Sequence, residues 1–307
     1  MPTALIRHPS CALHDVGSYH PECPEQLAAI SDRLISAGLD GLLQHHEAPA
    51  VTREQLTRVH TAHYVDEVHA RAPLHGQVHL DPDTAMMPHT LPAALHAAGA
   101  AVLAVDLVMR GEAQNAFCAI RPPGHHAVPD HAMGFCIFNN IGVAAAHALE
   151  HHGLERIAIV DFDVHHGNGT EDMFLDDPRV LICQTFQHPF YPYQGAESGN
   201  AHVVNVPLKA GSGSEVFRQA IEAAWLPALE AFRPQLLLIS AGFDAHRDDP
   251  LAYLQLADAD YAWVTRALLA VARRHCAGRV VSTLEGGYDL DALGRAAGEH
   301  IRALLEA

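Results

Sequence analysis

Short apolar runs alternate with longer amphipathic stretches along this chain. Ile157-Ala158-Ile159-Val160 is β-branched, too short for a helix of its own and too uniformly apolar for a half-exposed strand, so it predicts a strand buried on both faces of a parallel sheet. Ala4 to Arg7, Ala116 to Ile120, Val180 to Gln184, Gln235 to Ser240 and Arg279 to Thr283 read as further strands. A helix is predicted from Pro24-Glu25 to about Ala37, with proline in the first turn, where its missing N–H costs nothing. A short helix follows around His63 to His69, and an Ala-rich one runs from about Leu91 to Met109, stopped by Gly111. Others are predicted over Asn139 to His151, 214–231, 258–275 and 289–305. Segment 72–92 is rich in Pro, His and Asp without periodicity, which predicts loop, with Asp81-Pro82-Asp83-Thr84 on the surface.

The recurring order is strand, polar loop, helix, with short connections and no low-complexity linker or internal repeat. The economical fold is a single α/β domain over residues 1–307, with a central, mostly parallel sheet carrying helices on both faces.

Composition narrows the function. Hydrophobic residues make up 49% and charged residues 18%, as in a globular chain, and no uninterrupted apolar run approaches the roughly 18 residues needed to span a bilayer. The opening Met-Pro-Thr-Ala-Leu-Ile-Arg-His carries no signal-peptide pattern, so a cytoplasmic protein without a membrane partner is expected. A formal charge of −17 argues against nucleic-acid binding and favours cationic ligands through long-range attraction. The 25 histidines make that charge change steeply between about pH 5 and 7. Six scattered cysteines form no Cys-x-x-Cys pair, so reduced thiols are expected rather than a disulfide framework or a Cys-rich zinc site.

The chemistry collects at strand ends. The central run stops in Asp161, Asp163, His165 and His166, and alternation points the first three to one side if the backbone stays extended. Carboxylates that close repel each other, whereas a divalent cation makes the arrangement favourable. Three other strands end in His125-His126, in Asp244 and in Tyr288. Parallel strands put all four ends on one edge, where open α/β sheets bind ligands. Each group alone also fits a structural role: paired histidines can sit in a core, Asp244 can cap the next helix, and Gly-Gly-Tyr can be a turn.

Together, Arg-Pro-Pro-Gly-His-His (121–126), Gly-Phe-Cys-Ile-Phe-Asn-Asn (134–140), Asp-Phe-Asp-Val-His-His-Gly-Asn-Gly-Thr (161–170), Ser-Ala-Gly-Phe-Asp-Ala-His (240–246) and Glu-Gly-Gly-Tyr (285–288) resemble the zinc-dependent histone deacetylase family of the arginase/deacetylase fold. His-Pro-Glu at 20–22 extends the likeness towards the N-terminus, and Asn168 makes the chain similar to the second class and its bacterial relatives. The resemblance implies that Asp163, His165 and Asp244 hold one catalytic Zn2+, a donor set that would also accept Fe2+ or Co2+. It implies His126 as general base, His125 as its electrostatic partner, Asp161 behind His125, Asn168 behind His126, and Tyr288 as donor to the developing oxyanion. It also implies that Phe135 and Tyr191 wall an acyl-lysine tunnel, although both could be core aromatics, and that Gly134 and Gly287 let backbone approach the substrate. A rim acid is implied at Asp81 or Asp83.

Two departures stand out. Where the family often has Ser-Leu-His this chain reads Cys183-Gln184-Thr185-Phe186-Gln187-His188, so side-chain ligation of a structural K+ is in doubt while backbone carbonyls near Asp161, Asp163 and His165 could still bind it. Gln26 stands where relatives usually have Arg. The reading is a metal-dependent amidohydrolase that removes acyl groups from lysine side chains of a peptide or protein. An acetylated-polyamine substrate is the close alternative, and a non-catalytic acetyl or small-molecule binder is the reading from another class. An oligomer is compatible with all three.

Overall fold

Alternation within the central strands builds three layers. In the computed structural model, which describes residues 2–307, the strand predicted at 157–160 turns Ile157 and Ile159 to one hydrophobic layer and Ala158 and Val160 to the other. Leu236 and Leu238 oppose Leu237 and Ile239 in the same way, so both faces of the sheet are dry.

In chain order the elements are β1 (Thr3–Arg7), α1 (Glu25–Ser36), β2 (Gln44–Glu47), α2 (Arg53–Leu56), α3 (Ala62–Arg71), β3 (Val78–Asp81), β4 (Thr84–Met86), α4 (Thr90–Met109) and β5 (Asn115–Cys118). They continue with α5 (Asn140–Glu150), β6 (Ile157–Asp161), α6 (Asn168–Phe174), β7 (Val180–Gln187), β8 (Val203–Leu208), α7 (Ser214–Ala220), α8 (Leu226–Phe232), β9 (Leu236–Ala241), α9 (Asp258–His275), β10 (Val280–Leu284) and α10 (Leu290–Leu305). Eight strands form one sheet in the order β2-β1-β5-β10-β9-β6-β7-β8, every pairing parallel. Helices α1, α9 and α10 cover one face and α4 and α5 the other. By length and composition α4 could cross a membrane, with a mean hydropathy of 1.8 over its most apolar window, but 67% of that window is buried as a core helix of this fold.

The long helices and central strands lie where patterning predicts them. The 214–231 helix is interrupted by a π turn, Ile221–Trp225, just before Pro227, whose missing N–H breaks the regular ladder. Segment 72–92 is not all loop. Here β3 and β4 pair as an antiparallel hairpin across Asp81 and Thr84, and β4 is buried.

Strands β5, β10, β9 and β6 are neighbours at the centre of the sheet. Their carboxyl ends are those that lead into His125-His126, Tyr288, Asp244 and Asp163-His165, so the topology places all four groups at one edge.

Candidate active site

Leaving β6, the chain stays extended only as far as Asp161. The alternation that would aim Asp161, Asp163 and His165 at one point ends there, and Asp244 from the end of β9 takes the third place. One donor atom from each of Asp163, His165 and Asp244 lies within 4.8 Å of the others. His165 Nδ1 is 3.0 Å from Asp163 Oδ1 and 3.1 Å from Asp244 Oδ2. Asp163 Oδ2 accepts from Gly286 N–H (2.8 Å) and Asp244 Oδ1 from Val164 N–H (2.8 Å), which fixes both carboxylates. Asp244 Oδ2 is buried without a hydrogen-bond partner. Two fixed carboxylates, an imidazole and an orphaned oxygen fit a divalent cation, because burying two like charges is otherwise costly.

The electrostatics agree. Burial and the neighbouring Asp163 push the Asp244 carboxyl up to about 7. Burial opposes a charged His165, but its hydrogen bond to Asp163 and the Asp244 carboxylate beside it raise it to about 10, so a proton between imidazole and carboxylates does the work of a cation. Glycine is required beside this cluster. A Cβ on Gly286 would sit 2.2 Å from Asp244 Oδ2 and 2.7 Å from Asp163 Oδ2. Gly286→Ala is therefore expected to fold and to lose affinity for a divalent ion at this cluster, read by equilibrium dialysis against the wild type; unchanged uptake would separate the ion from these oxygens.

The paired histidines come from a loop locked below. Arg121, fully buried, gives its guanidinium to both oxygens of buried Glu22 (2.8 Å to Oε2) and to the carbonyl of Cys11 (2.9 Å). Breaking such a buried pair from one side typically costs about 3–5 kcal/mol. Glu285 Oε2 accepts the N–H groups of Gly124 (2.7 Å) and His125 (3.1 Å) from above. His125 Nδ1 then faces Asp161 Oδ2 at 2.9 Å, and His126 Nδ1 faces Asn168 Oδ1 at 2.7 Å. Burial alone would lower the pKa of His125, yet the Asp163 and Asp161 carboxylates outweigh it and hold it well above the usual imidazole value. For His126, burial and the charges of His125 and His165 hold it well below. With its Nδ1 proton given to the Asn168 carbonyl, neutral His126 has a free lone pair on Nε2.

A cavity of about 140 Å3 opens beside this group, lined by His125, His126, His165, Phe135, Tyr191, Tyr288, Asp83, Pro123, Gly134, Leu251 and Gly286. Tyr191 meets His126 edge-on at 5.2 Å between ring centroids, and Phe135 meets Tyr288 edge-on at 6.2 Å. Both aromatics thus border the cavity rather than the core. Phe135 holds a left-handed backbone (φ 67°), uncommon for a bulky residue, secured by its N–H bond to Thr84 Oγ1 (3.0 Å). Gly134 (φ 58°) has no room for a Cβ, which would fall 2.4 Å from His126 Cδ2. Gly286, not Gly287, lines the cavity; a Cβ on Gly287 would face Leu293 and Phe243 instead. Of the two candidate rim acids, Asp83 reaches the cavity, held by Gly134 N–H (2.9 Å), while Asp81 caps the hairpin turn through Asp83 N–H.

Three more side chains brace the site. Glu285 holds the His125 backbone, and Asp249 Oδ2 holds Tyr288 N–H (2.7 Å) and Asp289 N–H (3.3 Å). Gln26 donates to the Gly287 carbonyl at 2.7 Å and so braces the same turn. All three act on backbone groups far away in sequence, which residue patterns do not signal.

The histone deacetylase domain model matches residues 20–304. The histone deacetylase-like amidohydrolase of Pseudomonas aeruginosa is 42% identical over 276 residues, 88% of this chain and 72% of that protein. The polyamine deacetylase HDAC10 of Mus musculus is 36% identical over 332 residues, 99% of this chain and 48% of that longer protein. A crystal structure of the HDA15 HD domain superposes with a TM-score of 0.94 at 36% identity, covering 99% of this chain and 90% of that one. Domain match, relatives and superposition agree across nearly the whole chain, which belongs to the histone deacetylase family and shares its hydrolytic deacetylase function.

Proposed function

We propose that the chain is a zinc-dependent deacetylase of acyl-lysine side chains, with Asp163, His165 and Asp244 as the metal ligands. The observation that carries this reading is the convergence of those three donors beside a cavity narrow enough for a methylene chain and walled by Phe135 and Tyr191. One imidazole and two carboxylates suit Zn2+ while leaving coordination positions open, and would also hold Fe2+ or Co2+. When bound, such an ion supplies Lewis acidity towards an amide carbonyl and lowers the pKa of water.

The chain's own groups do the rest. Neutral His126 takes the proton of the attacking water on Nε2 and returns it to the leaving amine. His125, kept cationic by the Asp163 and Asp161 carboxylates against the pull of burial, stabilises negative charge gathering beside it without competing for that proton. Tyr288 keeps its phenolic proton, because burial and the nearby Asp244 and Asp163 hold its pKa well above 10, and donates it to the oxyanion. Flat aromatic walls exclude water and admit a linear chain. Asp83 at the rim accepts an N–H from the substrate backbone.

The rival substrate is an acetylated polyamine, supported by the chain's negative charge and by the activity named for the mouse relative. Acetyl-lysine peptides and acetylated polyamines are compared as substrates of zinc-reconstituted and chelated protein. Metal-dependent cleavage of peptides above polyamines is expected. The reverse preference would transfer the assignment to polyamines, and silence on both with metal bound would favour a small-molecule binder.

A further inference from the structure

A second group of metal-ligand side chains lies at the opposite edge of the sheet. Helices α4 and α5 each run into a central strand, so their C-termini lie at the amino edge, away from the active site. Asp106 projects from the last turn of α4, His147 from the last turn of α5, and His151 and His152 follow at the end of α5. Asp106 Oδ1 lies 2.8 Å from both His147 Nε2 and His152 Nε2. The imidazoles of His147 and His151 stack at 4.8 Å, and His152 meets them edge-on at 5.4 and 4.9 Å. One donor atom from each of the four residues lies within 4.8 Å of the others.

We infer that Asp106, His147, His151 and His152 form a second metal site, structural rather than catalytic, for a divalent transition ion such as Zn2+ or Ni2+. Three imidazoles and one carboxylate are the donors that select a borderline transition ion over Mg2+ or Ca2+. His147 and His151 are four residues apart on one helical face, the spacing by which a helix presents two imidazoles to one ion. The negative end of the α5 dipole adds to the attraction. Asp106 is already an anion, since hydrogen bonds from His147 and His152 outweigh burial and hold its carboxyl at about 2.

The surroundings set the conditions of binding. Arg58 donates to His147 Nδ1 at 3.2 Å, so the His147 proton sits on Nε2 and is given to Asp106. An ion among these atoms replaces the protons that His147 and His152 share with Asp106, each of which moves to Nδ1 of its own ring, and Arg58 withdraws to Glu54, which it already reaches at 3.3 Å. Arg110 stands 3.7 Å from Asp106 Oδ2 and leaves Oδ1 as the ligand oxygen. Both cations weaken the site relative to one built without them. The ion would clip α4 to α5 at the ends of two helices that cover one face of the sheet.

The test is Zn2+ uptake by the full chain, counted by elemental analysis after equilibrium dialysis, for wild type and for His151→Ala/His152→Ala, both of which leave the buried His147 in place. Wild type is expected to take up two equivalents and the double variant one, with acetyl-amide turnover unchanged. Co2+ in place of Zn2+ should give two sets of d–d bands in the wild type, one of which disappears in the variant. Equal uptake by wild type and variant, or loss of both of the wild type's two equivalents from the variant, would each overturn the site. Failure of the catalytic assignment is distinguishable, because it removes the equivalent that survives in the double variant.

Discussion

Asp244→Asn is expected to lose one equivalent of bound divalent metal and, with it, turnover, while the protein stays folded. Asp244 Oδ1 accepts the Val164 N–H at 2.8 Å, a bond that an amide oxygen also makes, so the loop after β6 keeps its anchor. Oδ2 is the atom that changes. It is buried, has no hydrogen-bond partner, and lies 3.1 Å from His165 Nδ1. An amide nitrogen there presents hydrogens to the point where the three donors converge and cannot ligate. The substitution also removes one of two carboxylates, and burial and the Asp163 charge raise Asp244 to about 7, so the chelated variant should melt no lower than the chelated wild type. Loss of Lewis acidity removes several kcal/mol of transition-state stabilisation, about 10³-fold or more in rate. Metal content, circular dichroism and turnover are measured on one preparation. Full metal content at full rate would remove Asp244 from the ligand set, and metal loss accompanied by unfolding would make its role structural.

Central strands were legible because their signal is local. Ile157 to Val160 and Leu236 to Ile239 are apolar runs buried on both faces, and no tertiary information is needed to see them as strands. The edges carried no such signal. β2 is Gln-His-His-Glu, a wholly polar strand that exists because β1 offers it an unpaired edge, and β8 is half-exposed with Pro207 within it. The hairpin β3–β4 was hidden by Pro82 and its flanking aspartates, which are turn residues, and β4 is buried only through its tertiary neighbours. Within the site, identities were legible and directions were not. Residue types and strand ends brought Asp161, Asp163 and His165 forward, but extended alternation cannot show that the chain leaves β6 at Asp161, which turns that carboxylate to His125 at 2.9 Å and gives its place to Asp244. The remaining supports, Glu285 and Asp249, bond to backbone N–H groups 160 and 39 residues away in sequence, and any acidic residue could have done so.

Tyr288→Phe is expected to separate the proposed oxyanion donor from everything around it. The side chain lines the cavity beside His126 and Phe135, and no protein group among the described residues accepts a hydrogen bond from its hydroxyl, so that donor is free for substrate. Its backbone is fixed independently of the hydroxyl: Asp249 Oδ2 accepts the Tyr288 N–H at 2.7 Å, and Gln26 braces the preceding carbonyl at 2.7 Å. Removing the oxygen therefore leaves the ring, the turn and the proposed ligands Asp163, His165 and Asp244 in place. Metal content and KM should match the wild type, and kcat should fall about 10²- to 10³-fold, equivalent to roughly 2.7–4 kcal/mol for one preorganised donor. The loss belongs in kcat because a phenol that strengthens its bond only as charge develops contributes to the transition state and little to substrate binding. A higher KM with unchanged kcat would make the hydroxyl a ground-state binding contact, and an unimpaired rate would assign oxyanion stabilisation to His125 and the metal ligands alone.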